Sequence, residues 1–365
     1  MKKILHVAFD GLGNGGIQAV IMGIVRNLKN DFNFDVLLFT NERRHYDDEF
    51  EKYGKIFRIP TRQQKSIIGK KIDYYTRFFK IYRGVKKILK ENGPYDAIHC
   101  HNYFESGICT MAAKSMGVPV RISHSHSYSL HMHILYKIYT AFLKIIINRY
   151  SNVKISCSSY ASSFLFYKKA DTIIINNAVD LSKFNSDNYD FSNVPRFSFI
   201  HIGRFGEVSK NHSFLLEVFQ KIYIKQNDAR LTLIGFGTPH DEKRIKDKIS
   251  ILEIEKAVNI LPHDTDIPLA LSKSNAMIFP SKYEGFGIVI IEAQAMGVRC
   301  YISSDVIPKE VDRGLCTFIS LKNNAGEWAD IIINNLNEKS TERKIGDMSG
   351  FSWNDIALKY KNIYN

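Results

Sequence analysis

The chain has no apolar run long enough to span a bilayer, and its first ten residues, Met1 to Asp10, read as a strand ending in a charge instead of a secretory signal. Both absences predict a protein that stays in the cytoplasm. Cysteine is scarce: Cys100, Cys109, Cys157, Cys300 and Cys316 are odd in number, scattered and without any Cys-x-x-Cys pair, so neither a disulfide framework nor a cysteine zinc site is indicated. Internal repeats and low-complexity segments are also lacking. Acidic residues are short in one half only. Residues 1–185 carry 28 Lys and Arg against 14 Asp and Glu, a net +14, whereas residues 186–365 carry 22 against 23, a net −1. The excess charge therefore points to an anionic partner of the first half: nucleic acid, an anionic membrane or an acidic substrate.

What is present alternates. Short apolar runs at Ile4–Phe9, Val36–Phe39, Ala97–His99, Val118–Ser123, Val153–Cys157 and Thr172–Ile175 predict strands, with helical stretches such as Gly16–Leu28 and Ile72–Leu89 between them. Strands separated by helices imply a parallel sheet covered on both faces. The polar stretch Phe184–Pro195 reads as an interdomain linker, after which the alternation restarts with Phe197–Ile202, Leu231–Ile234, Val258–Ile260, Ala276–Phe279 and Val298–Ser303. At 365 residues the chain is comfortable for two domains. The expected class is α/β, with two Rossmann-like doubly wound domains, 1–185 and 186–350, facing across a ligand cleft at the strand C-termini. A helix over 351–365 begins at Ser352, an N-cap residue.

The strongest chemical signal is the pair Glu284 and Glu292, with seven residues between them and Gly285-Phe286-Gly287 directly after the first. The segment follows the strand Ala276–Phe279 and opens a helix at Ile288. Unpaired amides at a helix N-terminus carry the positive end of the dipole and can hold a phosphate, while carboxylates accept hydrogen bonds from hydroxyls. A nucleotide sugar, with phosphate in the middle and a polyol at each end, fits that arrangement. Two Glu residues on an ordinary helix would be solvated surface groups; the Gly-Phe-Gly entrance and a second phosphate-type signal upstream separate the two readings.

That upstream signal is Gly11-Leu-Gly-Asn-Gly-Gly16, which satisfies Gly-x-Gly-x-x-Gly and opens a helix as a dinucleotide-binding loop would, with Glu42 as a late ribose acid. A second reading takes Gly15 and Gly16 only as a loop whose bare backbone lets a phosphate or sugar come close, and a third as a turn. The dehydrogenase reading leaves the second-half motifs unexplained. Arg204 stands just past a strand end and Lys210 just before a helix, two cations able to neutralise a diphosphate leaving group or, alternatively, solvated surface charges. His99-Cys-His101 and His124-Ser-His126 stand at strand ends. Alternating histidines can bind a metal, but no nearby carboxylate or cysteine completes a ligand set, so hydrogen bonds to substrate are expected and no metal or other cofactor is. Asp264-Thr-Asp266 resembles a cation-binding Asp-x-Asp, yet its place in a loop predicts a helix cap.

Between Arg62 and Lys90 the chain carries Arg62, Lys65, Lys70, Lys71, Arg77, Lys80, Arg83, Lys86, Lys87 and Lys90 against a single acid, Asp73, interleaved with Tyr74, Tyr75, Phe78, Phe79 and Tyr82. Cations beside an aromatic stripe suit the headgroup region of an anionic bilayer. The alternative is aromatics in the core and cations in water. Nucleic acid is not expected as a partner, because no binding motif accompanies the charge.

With these residues assembled, the chain resembles the retaining glycosyltransferases of the GT-B fold, family 4, and within it the bacterial exopolysaccharide and capsule branch. The resemblance covers essentially the whole length. It rests on Gly15-Gly16, Asp96-Ala-Ile-His-Cys-His101, Val118 to His126, Cys157-Ser158, Ile175 to Phe184, Gly203-Arg204, Lys210-Asn-His212 and the Glu-x7-Glu motif. It implies that Glu284 hydrogen-bonds the donor sugar, Glu292 holds the ribose, and His101 sits at the reacting centre. Arg204, Lys210 and the amides of Gly285, Phe286, Gly287 and Ile288 would bind the diphosphate. It further implies metal independence, possible acceptor roles for His124 and His126, a lipid-linked glycan acceptor at the inner membrane face, and a last helix that packs back on the first domain. Two positions depart from the family pattern: Ala178 where glycine is usual, and Leu261-Pro262-His263 in place of a glycine-containing loop beside the base. Two competing readings stay open, a nucleotide-sugar epimerase of the same fold and a noncatalytic sugar-nucleotide or membrane-binding protein.

Overall fold

The computed structural model describes every residue except Asp10, 61–66, 128–133, Lys169, Glu207 and 339–342, and only the backbone of 67–76 and 134–136. The chain forms two compact units, one of Met1–Ala178 with Gly350–Asn365 and one of Val179–Ser349. Among the described residues no helix is long and apolar enough to cross a membrane.

In the first unit the order is β1 (Lys2–Ala8), α1 (Gly16–Leu28), β2 (Phe32–Leu38), α2 (Asp47–Phe50), β3 (Ile56–Arg58), α3 (Ile67–Asn92), β4 (Ala97–Cys100), α4 (Ser106–Ser115), β5 (Val120–Ser125), α5 (Ile134–Tyr150), β6 (Val153–Ser156), α6 (Ser159–Leu165) and β7 (Ile173–Ile174). The seven strands pair in parallel in the order β3-β2-β1-β4-β5-β6-β7. Apolar residues fill both faces: Ile4, Phe34, Val36 and Ile122 with α1 on one side, and Leu5, Val7 and Leu37 with α3, α4 and α5 on the other. Strands buried on both faces lose the polar alternation of a half-exposed sheet, which is why they read as continuous apolar runs.

The second unit follows the same plan: β8 (Ser198–Ile202), α7 (His212–Lys225), β9 (Arg230–Ile234), α8 (Pro239–Ile251), β10 (Val258–Leu261), α9 (Ile267–Ser272), β11 (Ala276–Phe279), α10 (Ile288–Ala295), β12 (Arg299–Ser303), β13 (Cys316–Ile319) and α11 (Ala325–Glu338). Its parallel strand order is β10-β9-β8-β11-β12-β13. The expected pair of Rossmann-like sheets is therefore present, and β3 and β13 are strands beyond those expected.

The division falls at Ala178, upstream of the expected position after 185. The cause is apolar: Val179 and Phe184 are buried, and Phe191 stacks under Arg343 of the same unit at 4.0 Å. The stretch expected to be a linker thus belongs to the second unit. Ala178, the departure from the family pattern, packs in the core of the first.

The chain re-enters the first unit at α12 (Trp353–Tyr364), whose N-cap Ser352 accepts a hydrogen bond from the Asp355 amide at 3.2 Å. Ile356, Ala357, Tyr360 and Tyr364 form its buried stripe, the spacing that aligns residues on one helix face. The helix meets α1 at Gly23, where a Cβ would come within 1.8 Å of the Trp353 ring, so only glycine admits this approach. Lys361 pairs with Asp31 at 2.5 Å, and Lys2 donates to the main-chain oxygen of Asn365 at 2.6 Å.

Candidate active site

In an open parallel sheet the crevice lies beyond the strand C-termini, where strand order reverses. In the second unit that point is between β8 and β11, and the loops leaving these strands carry Arg204, Lys210, Glu284 and the Gly-Phe-Gly. Two hydrogen bonds join the loops: the Lys282 amide donates to Ser209 O at 2.7 Å and the Asn211 side chain to Pro280 O at 3.1 Å. Lys210 Nζ pairs with Glu284 Oε2 at 2.7 Å, both side chains about five-sixths buried (16% and 17% exposed), with Lys210 also 4.8 Å from the Phe279 ring centre. The cation expected at the diphosphate and the carboxylate expected at the sugar are thus held together, although 74 positions separate them. Gly287 takes φ 91° and caps α10, a left-handed conformation that favours glycine; a Cβ there would also press on the movable Cδ1 of Ile290 at 2.8 Å. Gly285 and Phe286 are buried and Ile288, the first residue of α10, is half-buried.

Glu292 sits one turn along α10, half-buried. Burial pushes its carboxyl up to about 7 from an ordinary 4.5, and Lys183 only partly offsets this. A raised carboxyl favours the folded state most at low pH, and that contribution is lost as pH rises through about 7. Replacing Glu292 by Gln should then stabilise the protein at pH 8 by up to ~3 kcal/mol, with little gain at pH 5. Thermal melts at the two pH values check this, and equal shifts would show that the carboxyl is ordinarily solvated.

Arg204 is exposed, and its guanidinium lies 5.3 Å from the centre of the Phe236 ring, which in turn lies 4.9 Å from the ring of His263. These three groups line up beyond the ends of β8, β9 and β10. Phe236 was not among the expected site residues. Its signal was available, because Gly235-Phe236-Gly237 repeats the Gly-Phe-Gly of the α10 entrance between another strand and another helix. Asp266 caps α9, accepting from the Leu269 amide at 3.0 Å, as its loop position led one to expect.

In the first unit Gly15 caps α1 without a side-chain bond and Gly16 is its first residue. Glu42, the alternative ribose acid, is exposed and paired with Arg44 at 2.5 Å. The histidines bond largely to one another. Strand alternation puts His6, His99 and His124 on the sheet face of Ile4, Ala97 and Ile122, and His6 and His99 are register partners. His101 bonds His6 at 3.0 Å through Nε2 and His126 at 2.8 Å through Nδ1, while His99 bonds Tyr364 at 2.7 Å and His124 at 3.1 Å. His99 and His124 are fully buried and His101 nearly so, whereas His126 is half-buried and its Nδ1 has no hydrogen-bond partner among the described residues. His101 would have to exchange one of its two bonds to reach a sugar, and His126 is the outermost of the group. Burial depresses all five, His6 and His126 to about 3.

The nitrogens of His101, His124 and His126, and separately those of His6, His99 and His101, lie within 4.8 Å of one another. Three imidazoles form a ligand set that divalent zinc or copper accepts. The second group depends on His6, which lies outside the two His-x-His motifs, whereas the first is drawn from those motifs alone. Metal binding there would compete with the hydrogen bonds between the rings, which use the same nitrogens.

On α3, the exposed positions Phe79, Arg83, Lys87 and Lys90 share one face, while Ile81, Val85, Ile88 and Leu89 are buried. Arg77 departs from the expected cationic face: it pairs with Glu105 at 3.1 Å and lies 3.8 Å from the Phe9 ring centre, turned inward. Arg62 and Lys65 and the side chains of Lys70, Lys71, Asp73, Tyr74 and Tyr75 lie outside the described residues.

The chain is similar to known proteins in sequence and in fold. Residues 14–183 match the family model described as Glycosyltransferase Family 4, and residues 186–349 match that of Glycosyl transferases group 1. EpsF of Bacillus subtilis (strain 168), which is assigned by name as a glycosyltransferase, is 30% identical over 349 residues, covering 91% of this chain and 87% of its own. An Escherichia coli UDP-Gal:alpha-D-GlcNAc-diphosphoundecaprenol alpha-1,3-galactosyltransferase is 24% identical over 83% of this chain and 79% of its own. Among solved structures, Anabaena Alr3699/HepE in complex with UDP and glucose superposes with a TM-score of 0.75 over 99% of both chains at 17% identity, a likeness of fold.

Proposed function

Because this chain belongs to the glycosyltransferases of the GT-B fold, we propose that it is a retaining, metal-independent family 4 hexosyltransferase using a UDP-sugar and a lipid-linked glycan acceptor. The product belongs to a bacterial surface polysaccharide, exopolysaccharide or capsule. The reading is carried by the Lys210–Glu284 pair at the β8/β11 reversal, which brings a phosphate-binding cation and a hydroxyl-binding carboxylate to one point. Related proteins guide the finer terms: the E. coli relative takes UDP-Gal to a diphosphoundecaprenol acceptor, and HepE binds UDP and glucose.

Reaction proceeds on one face of the sugar. The bond from the anomeric carbon to the diphosphate oxygen breaks, the acceptor oxygen bonds to that carbon from the same side, and the acceptor proton passes to the departing phosphate oxygen. Lys210 and Arg204 stabilise the charge growing on the diphosphate, and Glu284 orients the sugar hydroxyls. Glu292 holds the ribose, Gly285 to Ile288 offer backbone amides, and Phe236 with His263 gives the base a stacking surface. His126, fixed through His101 and His6, faces the acceptor. The enzyme works in the cytoplasm at the inner membrane face, where the cations of α3 meet anionic lipid.

Incubation with labelled UDP-glucose or UDP-galactose and a prenyl-diphosphate-linked sugar tests this. Label should enter the organic phase with the α configuration of the donor retained. Inversion at C2 of free donor without acceptor would instead mark an epimerase, and donor binding that survives Glu284→Ala with no transfer from UDP-, GDP- or ADP-sugars a noncatalytic protein.

A further inference from the structure

Three large apolar side chains stand out of α5 in a row: Ile138, Phe142 and Ile145 are 63%, 52% and 55% exposed. Their spacing of four and three puts them on one helix face, opposite Leu143, Ile146 and Ile147, which are buried in the core. Single exposed apolar residues are ordinary, but a contiguous stripe marks a contact surface. It continues onto α3, because the Phe142 ring is 6.4 Å from that of Phe78, next to Phe79, itself 61% exposed. Along the same helix runs a groove of about 650 Å³, lined by Phe78, Tyr82 and Met116 together with Lys86, Lys87 and Lys90. Among the described residues Glu91 is the one carboxylate lining it.

We propose that α5 inserts its Ile138–Phe142–Ile145 stripe into the acyl boundary of an anionic bilayer while the α3 groove takes lipid phosphates, so that the first unit docks through two helices. This rests on the membrane-linked acceptor read above and adds the inserting element, which lies outside segment 62–90. Cations with long aliphatic stems beside an aliphatic stripe match a headgroup layer above acyl chains. A nucleic acid would use the cations and leave the stripe in water.

Flotation of the full chain with vesicles tests the inference. Wild type should bind phosphatidylglycerol vesicles at least tenfold better than phosphatidylcholine vesicles. The triple variant Ile138→Ser/Phe142→Ser/Ile145→Ser should lose tenfold or more of that binding at low salt, and Lys86→Gln/Lys87→Gln/Lys90→Gln should lose the preference for phosphatidylglycerol. Both should keep wild-type transfer to a short-chain acceptor in detergent, which also reports folding. A Phe142→Trp variant should show emission quenched by brominated lipid. Unchanged flotation of the stripe variant, or unquenched Trp at 142, would overturn the inserting role. Stripe-dependent flotation without transfer from any donor would support the membrane face and count against the proposed reaction.

Discussion

Lowering the pH from 8 to 5.5 is expected to unfold the first unit before the second. His6, His99, His101, His124 and His126 are held well below their ordinary value of 6.5, in each case chiefly by burial and for the middle three also by one another. Among the described residues, the other ionisable groups stacked against them are Tyr360 and Tyr364, whose hydroxyls burial holds above the ordinary range and which offer no negative charge to favour imidazolium. A depressed histidine contributes its full stability above 6.5 and loses it as pH falls towards the folded value. One unit below 6.5 each costs ~1.4 kcal/mol, and five cost ~7, comparable with the 5–15 kcal/mol of a whole domain. In the second unit only His201 and His212 are depressed, for about 3 kcal/mol by the same rule.

The two tryptophans make the order of unfolding measurable, since Trp353 docks on Gly23 in the first unit and Trp328 is buried in the core of the second. In Trp328→Phe the remaining emission should shift to the red between pH 6 and 5, with uptake of about five protons as the first unit unfolds. Trp353 emission flat from pH 8 to 5 would contradict a neutral, buried histidine group.

Much of the fold was legible because parallel strands covered on both faces leave unbroken apolar runs, and β11 and α1 fall where such runs and a Gly-Gly entrance put them. β3 escaped because three residues, Ile56–Arg58, give no period to read, and β13 because Cys316 and Thr317 dilute its run. Packing divides the units a few residues upstream of 185, because Val179 and Phe184 anchor a polar stretch whose composition looks like coil, whereas the two family matches meet between 183 and 186. Site chemistry was legible by residue type. Which side chain meets which was not, since Lys210–Glu284 and the row His6, His99, His124 form only when distant strands take register. Arg77 shows the same limit, because counting cations along α3 does not separate the face that turns inward to Glu105.

Replacing Lys210 by Ala should lower turnover by about 10²-fold or more, the scale of losing one preorganised charge at a developing anion. A simpler cause has to be separated from this one. The substitution also strands Glu284, five-sixths buried, without its cation, and a stranded carboxylate destabilises the fold whatever the site does. The double variant Lys210→Ala/Glu284→Ala distinguishes them. In stability the two single changes should each destabilise and the double should lose less than their sum, because it leaves no charge unpaired. In turnover the double should recover nothing, since the diphosphate and the sugar have each lost their partner. Binding divides the roles further: Lys210→Ala should weaken UDP and UDP-sugar alike, whereas Glu284→Gln should leave UDP unchanged and abolish the advantage of the sugar-bearing donor. Recovery of turnover in step with stability in the double variant would reduce the pair to a structural ion pair and remove the ground for placing the donor there.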